Sequence, residues 1–279
     1  MRLVQISDTH LSHLGGITTA NLGRIASWVN ATFHPDLIVN TGDIVAASPD
    51  QPLDRAWALQ VHAAFQAPVV YLPGNHDVGE PGSVPWKGLA ITSERVAAHC
   101  DVFGPDRFAA RHSEWLVIGI NSELLGSGLD EEDDQWRWLE DQLAEPGPAR
   151  VLLFSHKPLW LPRTTPSEAA LSIPDRSRQR IMTLIGERLA AVGCGHLHRY
   201  RRRPRPEATG PLEVWAPSTG FIGQTETESP YFEQLGVVEW HLDGNAVNAW
   251  FRAPADLDER EGTSIDEMVR TVADLDAVG

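Results

Sequence analysis

The chain has 279 residues, 42% of them hydrophobic and 22% charged, which supplies the core of one large α/β domain or of two small ones. Lys+Arg 23 against Asp+Glu 38 leaves a net charge of −15, a field that repels nucleic acid and anionic membranes and argues against both as bulk partners. Two cysteines, Cys100 and Cys194, without a C-x-x-C pair exclude a disulfide framework and a zinc-ribbon spacing.

The opening residues are too poor in apolar side chains for the core of a signal peptide, and no run is long enough to cross a bilayer. A soluble, cytoplasmic protein is therefore expected. Leu3, Val4 and Ile6 predict a short buried strand that runs into Asp8-Thr9-His10. In an extended segment Asp8 and His10, two apart, face the same point. His13 stands three further on and reads as a loop or supporting histidine. Thr18 or Thr19 is placed to cap a helix that carries Leu22, Ile25, Ala26, Val29 and Phe33 on one face and ends at His34-Pro35. Residues 36–41 predict a second strand with Gly42-Asp43 at its end, and the strand–helix–strand order predicts a parallel pair. Leu53, Trp57, Val61, Ala64 and Phe65 mark the inward face of a second helix. A third strand, Pro68 to Leu72, is broken by Pro73-Gly74 and delivers Asn75-His76-Asp77. Gly74 is expected to let the chain turn tightly there.

Residues 79–95, with Trp86 and Lys87, form a loop whose composition fits a cover over a site and a plain surface loop equally. Glu94 to His99 reads as helix and 103–106 as a turn. Trp115 to Ile120 is a core strand ending at Asn121-Ser122. Asp130-Glu131-Glu132-Asp133 opens a helix where the dipole favours acids, a solvated turn rather than a metal site. Arg150 to Phe154 is a strand leading to Ser155-His156-Lys157. Ile181, Leu184, Ile185 and Leu189 mark another helix, and 191–194 a strand ending in Gly195-His196-Leu197-His198. The five arginines of 199–205 read as a solvated loop. Antiparallel strands at 212–216, 235–240 and 246–251 follow without helices between them, the last two around an Asp243-Gly244 hairpin signal. Residues 1–253 are taken as one catalytic domain and 254–279 as an acidic, helix-spaced extension. Trp86 and Trp160 sit in loops near the polar blocks and read either as packing residues or as platforms for a base.

Asp8, His10, Asp43, Asn75, His76, Asp77, His156, His196 and His198 all stand at the ends of predicted strands, which gather on one edge of a parallel sheet. Imidazole, carboxylate and amide donors without cysteine suit two transition-metal ions rather than a structural zinc. Two ions roughly 3.5–4 Å apart need a bridging carboxylate, and Asp43, from the central strand, is best placed.

These blocks resemble the motif of the calcineurin-like metallophosphoesterases, D-x-H, G-D, G-N-H-D/E, H and G-H-x-H, matched in order over residues 8–198. Each block is short, and their joint occurrence is specific. The resemblance implies an α/β, four-layer sandwich of two mixed β-sheets flanked by helices. It implies two ions of iron, manganese or zinc, one held by Asp8, His10, Asp43 and His198 and the other by Asp43, Asn75, His156 and His196. It places His76 beside the substrate phosphate, with Asp77 orienting His76 from behind. The implied reaction is hydrolysis of a small phosphodiester by a metal-activated hydroxide. The loaded site would carry roughly +1 and so admit a phosphate despite the net charge. Protein phosphatases of the superfamily extend the second block to G-D-x-x-D-R-G, whereas this chain reads Gly42-Asp43-Ile44-Val45-Ala46-Ala47-Ser48. The Ile6 to Leu11 opening and Asn121-Ser122 resemble the class III cyclic-nucleotide phosphodiesterase branch, which puts 3′,5′-cyclic nucleotides among the substrates. A phosphomonoesterase on the same metals is the second reading. A non-catalytic scaffold is the third, although such a relative would have lost ligands. The resemblance leaves a homodimer open.

Overall fold

Alternation along the first strand sets the layers. In β1 (Arg2–Ile6) Val4 and Ile6 point to one side, into a cluster with Leu22, Ile25 and Val29 of the first helix, α1 (Ile17–Thr32). Leu3 points to the other side, into a cluster with Trp115, Phe154 and Trp240. The computed structural model that displays this describes residues 1–46, 48–82, 85, 88–144, 150–161, 171–203, 210–222 and 234–259.

The remaining strands are β2 (Leu37–Asn40), β3 (Val69–Tyr71), β4 (Phe108–His112), β5 (Trp115–Gly119), β6 (Arg150–Ser155), β7 (Leu189–Cys194), β8 (Arg201–Arg203), β9 (Leu212–Trp215), β10 (Val237–Asp243) and β11 (Ala246–Arg252). One sheet has the order β11-β10-β1-β2-β3, the other β4-β5-β6-β7-β9-β8. The first pairs β1, β2 and β3 in parallel and β10 antiparallel to both β1 and β11. The second is parallel from β5 to β9 with antiparallel strands at both edges. Both sheets are thus mixed, and they pack face to face. Outside the first lie α1, α2 (Pro52–His62) and α4 (Ser93–Phe103), with the single turn α3 (Asn75–Val78) at the end of β3. Outside the second lie α5 (Asp130–Ala144) and α6 (Asp175–Ile185), over Leu116, Ile118, Leu153 and Val192. This is the expected four-layer α/β sandwich.

Several local expectations are corrected. No threonine caps α1; the preceding residue is Gly16. The inward face of α2 is only partly the apolar stripe: Trp57, Val61 and Phe65 pack on the first cluster, but Leu53 is 58% exposed, and Asp54, Arg55, Ala58 and His62 are buried as well. The polar members of that face find partners in loops and, for His62, at Asn40 of β2, a signal invisible to apolar spacing. The 103–106 turn leads to an additional edge strand, β4, whose Phe108 fills the space over Gly119. Arg201 to Arg203 of the arginine stretch is not solvated loop but edge strand β8, with Arg201 stacked 4.6 Å from the Trp215 ring. Strand β9 runs parallel to β7. Residues 254–259 return to α1, where Leu257 packs on the first cluster and Asn21 bonds the backbone of Asp258. The rest of the acidic extension lies outside the described residues. Among the described residues no helix is long and apolar enough to cross a membrane.

A polar stitch joins the sheets beneath their C-terminal edge. Gln5 is fully buried between them; its amide donates to Thr41 Oγ1 at 3.1 Å and to the Cys194 carbonyl at 3.2 Å, and it accepts from Trp240 Nε1 at 3.1 Å. Gln5→Leu keeps the volume and strands these groups without water. We expect a loss of about 1–3 kcal/mol, measured as a lower urea midpoint; an unchanged midpoint would show that the stitch is dispensable.

Candidate metal centre

The strands β1, β2, β3, β6 and β7 end at one edge, and their polar blocks meet there. Asp8, His10, Asp43, Asn75 and His156 are buried, while His196 and His198 are partly so. The donor atoms of Asp8, His10, Asp43 and His198 all lie within 4.8 Å of one another, and so do those of Asp43, His156 and His196. Asp43 belongs to both groups. Its Oδ1 is 3.3 Å from His156 Nε2 and its Oδ2 is 3.8 Å from His10 Nε2. His10 Nε2 and His198 Nε2 stand 3.0 Å apart, and His198 Nε2 is 3.3 Å from Asp8 Oδ1. On the other side His196 Nδ1 is 3.1 Å and Asn75 Oδ1 3.3 Å from His156 Nε2. Ligands at about 2.0–2.2 Å from one ion are separated by roughly these spacings.

Convergence does not arise as strand alternation suggests. Asp8 (φ 52°), His10 (φ 43°), Asp43 (φ 52°), His196 (φ 70°) and His198 (φ 51°) all have left-handed backbones, so each lies in a turn beyond its strand. They make up five of the seven non-glycine residues with positive φ among the described residues. Strain of about 1–3 kcal/mol per residue is concentrated at this edge.

Backbone groups hold the turns. The Asp77 carboxylate accepts from the N–H groups of Gly74 (2.8 Å), Ile44 (3.0 Å) and Val45 (3.0 Å). It therefore clamps the Asp43 turn to the Gly74 turn, and this corrects the expectation that it orients the His76 ring from behind. His76 Nδ1 instead donates to the Ala46 carbonyl at 2.8 Å, leaving Nε2 on the side of Asp43, 4.0 Å from Oδ2. His156 Nδ1 donates to the Thr41 carbonyl at 2.8 Å, which directs the Nε2 lone pair inward. Gly74 is also corrected. Its φ of −108° is ordinary, and what requires glycine is proximity, since a Cβ would lie 2.3 Å from Asp43 Oδ1 and 2.4 Å from Asp43 N.

The electrostatics match a cation site. Burial, then the neighbouring His76, hold His10 well below its ordinary value; burial and His156 do the same to His196. Both rings are thus neutral, with lone pairs. Burial opposes ionisation of Asp43, but His156 and His76 outweigh it and keep the carboxylate charged. Burial likewise opposes protonation of His156, and the Asp43 and Asp8 carboxylates overcome it and push the ring up. Neutral imidazoles and ionised carboxylates are the states a metal binds, and an ion can replace the proton that His156 otherwise carries. Burial and the charge of Asp43 raise Asp77 to about 7, against its three N–H bonds.

Supporting residues were missed in the sequence. Asn40 accepts from the Gly42 N–H at 3.0 Å and bonds His62 at 2.9 Å, so a buried face of α2 positions the Asp43 turn. The Phe221 ring lies 4.9 Å from that of His10 and 4.7 Å from that of His198. Lys157, beside His156, is buried between Glu80 (3.1 Å) and Glu123 (3.0 Å), tying the loop after β3 to the end of β5. Their spacing in sequence carries no periodic signal. His13 is outside the cluster, 2.6 Å from Asp54. Trp160 packs on the α5–α6 cluster, and Trp86 lies outside the described residues.

A family model described as calcineurin-like phosphoesterase matches residues 1–200. The glycerophosphodiester phosphodiesterase GpdQ of Enterobacter lignolyticus is 30% identical over 224 residues, covering 75% of each chain. The 3′,5′-cyclic adenosine monophosphate phosphodiesterase CpdA of Escherichia coli is 28% identical over 214 residues, 71% of this chain and 70% of that one. Among solved structures, a purple acid phosphatase from yellow lupin seeds superposes with a TM-score of 0.66 at 13% identity, over 95% of this chain and 55% of that one, a likeness of fold alone.

The close approach of Gly74 gives a direct test. We expect Gly74→Ala to push the Asp43 carboxylate aside and lower bound metal below one ion per chain, read by elemental analysis after purification without chelator. Full metal content in the variant would show that the turn yields instead.

Proposed function

This chain belongs to the calcineurin-like phosphoesterase family, and on that footing we propose that it is a binuclear-metal phosphodiesterase acting on a small phosphodiester, with 3′,5′-cyclic nucleotides among its substrates. The observation that carries the reading is the position of Asp43, whose two carboxylate oxygens face two separate groups of histidines. In this reading Asp8, His10, Asp43 and His198 hold one ion, and Asp43, Asn75, His156 and His196 the other. Iron, manganese and zinc all suit this donor set. When bound, such ions polarise the phosphate and activate water for in-line attack.

The chain's own residues supply the rest. His76 has Nδ1 fixed on Ala46, so in this reading Nε2, on the side of Asp43, is the atom that meets the phosphate or gives a proton to the leaving oxygen. Asp77 acts through the backbone, holding the Asp43 and Gly74 turns at one separation. The glycerophosphodiester and cyclic-nucleotide activities named for the relatives support a diester over a monoester. The net charge of −15 supports a small substrate over nucleic acid or a membrane. We take residues 1–253 as the catalytic domain and 254–279 as an extension of it.

Holoenzyme assayed side by side on an aryl phosphodiester, its monoester and 3′,5′-cyclic AMP should turn over the diesters; turnover of the monoester alone would reject the reading. Asp43→Asn should lose both metals. His76→Ala should keep them and lower kcat about 10²–10⁴-fold, most for poor leaving groups. Metal loss from His76→Ala would reassign that ring as a ligand.

A further inference from the structure

The loops that follow β2 and β3 enclose a second polar space. It is a cavity of about 600 Å³ between the first turns of α2 and α4, walled by Asp50, Arg55, Ala90, Thr92, Glu94 and Arg95 among others. Arg95 is fully committed there. Its Nε and Nη2 grip Asp50 at 2.8 Å and 2.5 Å, and Nη1 donates to the Ala90 carbonyl. Asp50 is accordingly held below the usual carboxylate range by Arg95. This pair cancels.

Arg55 acts on Asp50 only at longer range. It is 8% exposed, and its Nη1 donates to the Pro49 carbonyl. Its Nε is buried without a partner, and among the described residues no carboxylate forms an ion pair with it. The His99 ring nearby, fully buried with neither nitrogen bonded, is driven down to about 3 by burial and by the charge of Arg55, so it stays neutral and offers no counter-charge. Glu94 is exposed at the rim. A guanidinium buried to this degree is rarely left unpaired. Nη2 makes no hydrogen bond among the described residues and, unlike Nε, is not sealed from solvent, so it is the donor that an oxyanion can reach.

We infer that this cavity binds one small oxyanion, a phosphate or a carboxylate group, on Nη2 of the Arg55 guanidinium. The site joins two functional loops. Pro49 and Asp50 follow Ala46, whose carbonyl holds His76, while Ala90 pairs with Glu80, the partner of Lys157. An anion there fixes both loops, whether it is a free ion or a second charged group of the substrate.

The test is stoichiometry in the metal-loaded protein, titrated calorimetrically with inorganic phosphate and separately with acetate. The wild type should bind one more anion per chain than Arg55→Gln, and Arg55→Lys, which keeps the charge but loses the planar guanidinium and its reach, should weaken that anion about tenfold. Equal stoichiometry in the wild type and Arg55→Gln for both anions overturns the inference, and if Arg55→Gln does not fold, unchanged affinity in Arg55→Lys does so. The source follows from KM. A rise in Arg55→Gln confined to a diester with a second anionic group assigns the site to the substrate; unchanged KM with a lost binding site assigns it to a free anion. The anion count requires no turnover, so it stands or falls apart from the phosphodiesterase reading.

Discussion

One carboxylate sets the geometry of this molecule's functional edge. Asp43 stands where β2 ends, between a group of donors from β1 and β7 and a group from β3, β6 and β7. A single ionised group buried among imidazoles demands positive charge on both sides. Everything nearby serves to keep it there. Asp77 fastens the backbone just after it, Asn40 fastens the backbone just before it, and Gly74 leaves room for its oxygens. The His76 N–H donates to its Oδ1 at 2.9 Å, so the same carboxylate also positions the residue that faces outward.

Holding such a cluster is costly to the fold. Left-handed backbones at Asp8, His10, Asp43, His196 and His198 are tolerated because strands on both sides over-determine them. Two sheets are needed. A single parallel sheet could bring Asp8, Asp43 and Asn75 together, but His156, His196 and His198 come from the second sheet. The buried Gln5 amide, bonded to Thr41 in one sheet and Cys194 in the other, ties the sheets just below that edge. Ser218 adds a bond from its hydroxyl to the Asp8 carbonyl at 2.8 Å.

The polar blocks and the strands beneath them were legible because both signals are local. Val4, Ile6, Ile38 and Val39 alternate or run as buried strands must, and each block follows at once. The joint motif then identified the fold. What stayed hidden depends on contacts distant in sequence. The partners of Lys157 are Glu80 and Glu123, far from it in the chain. Part of the buried face of α2 is polar because His62 meets Asn40 and Asp54 meets Ser12 and His13, so apolar spacing found Trp57, Val61 and Phe65 but missed these. Asp8 and His10 were paired for a wrong reason: two residues apart in a strand share a side, yet here two left-handed turns achieve it. The role given to Asp77 failed similarly, since adjacency to His76 in sequence says nothing about where a carboxylate finds its donors.

Charge explains why such a site needs cations to function at all. The protein carries −15, and the described edge concentrates two of its acids, Asp8 and Asp43, with only the His156 proton to answer them. Lys157, the ammonium adjoining the cluster, is neutralised twice over by Glu80 and Glu123. A phosphate ester approaching the metal-free edge would meet carboxylates across about 4 Å, where like charges at an effective dielectric of 20 repel by roughly 4 kcal/mol each. In the proposed reading, ions held by Asp8, Asp43 and the four imidazoles would reverse that sign. In the proposed reading the metals are therefore the anion receptor first and the catalyst second. The protein has correspondingly little need of lysine or arginine at this edge, and the buried, unpaired Arg55 stands out as a charge meant for some other anionic group.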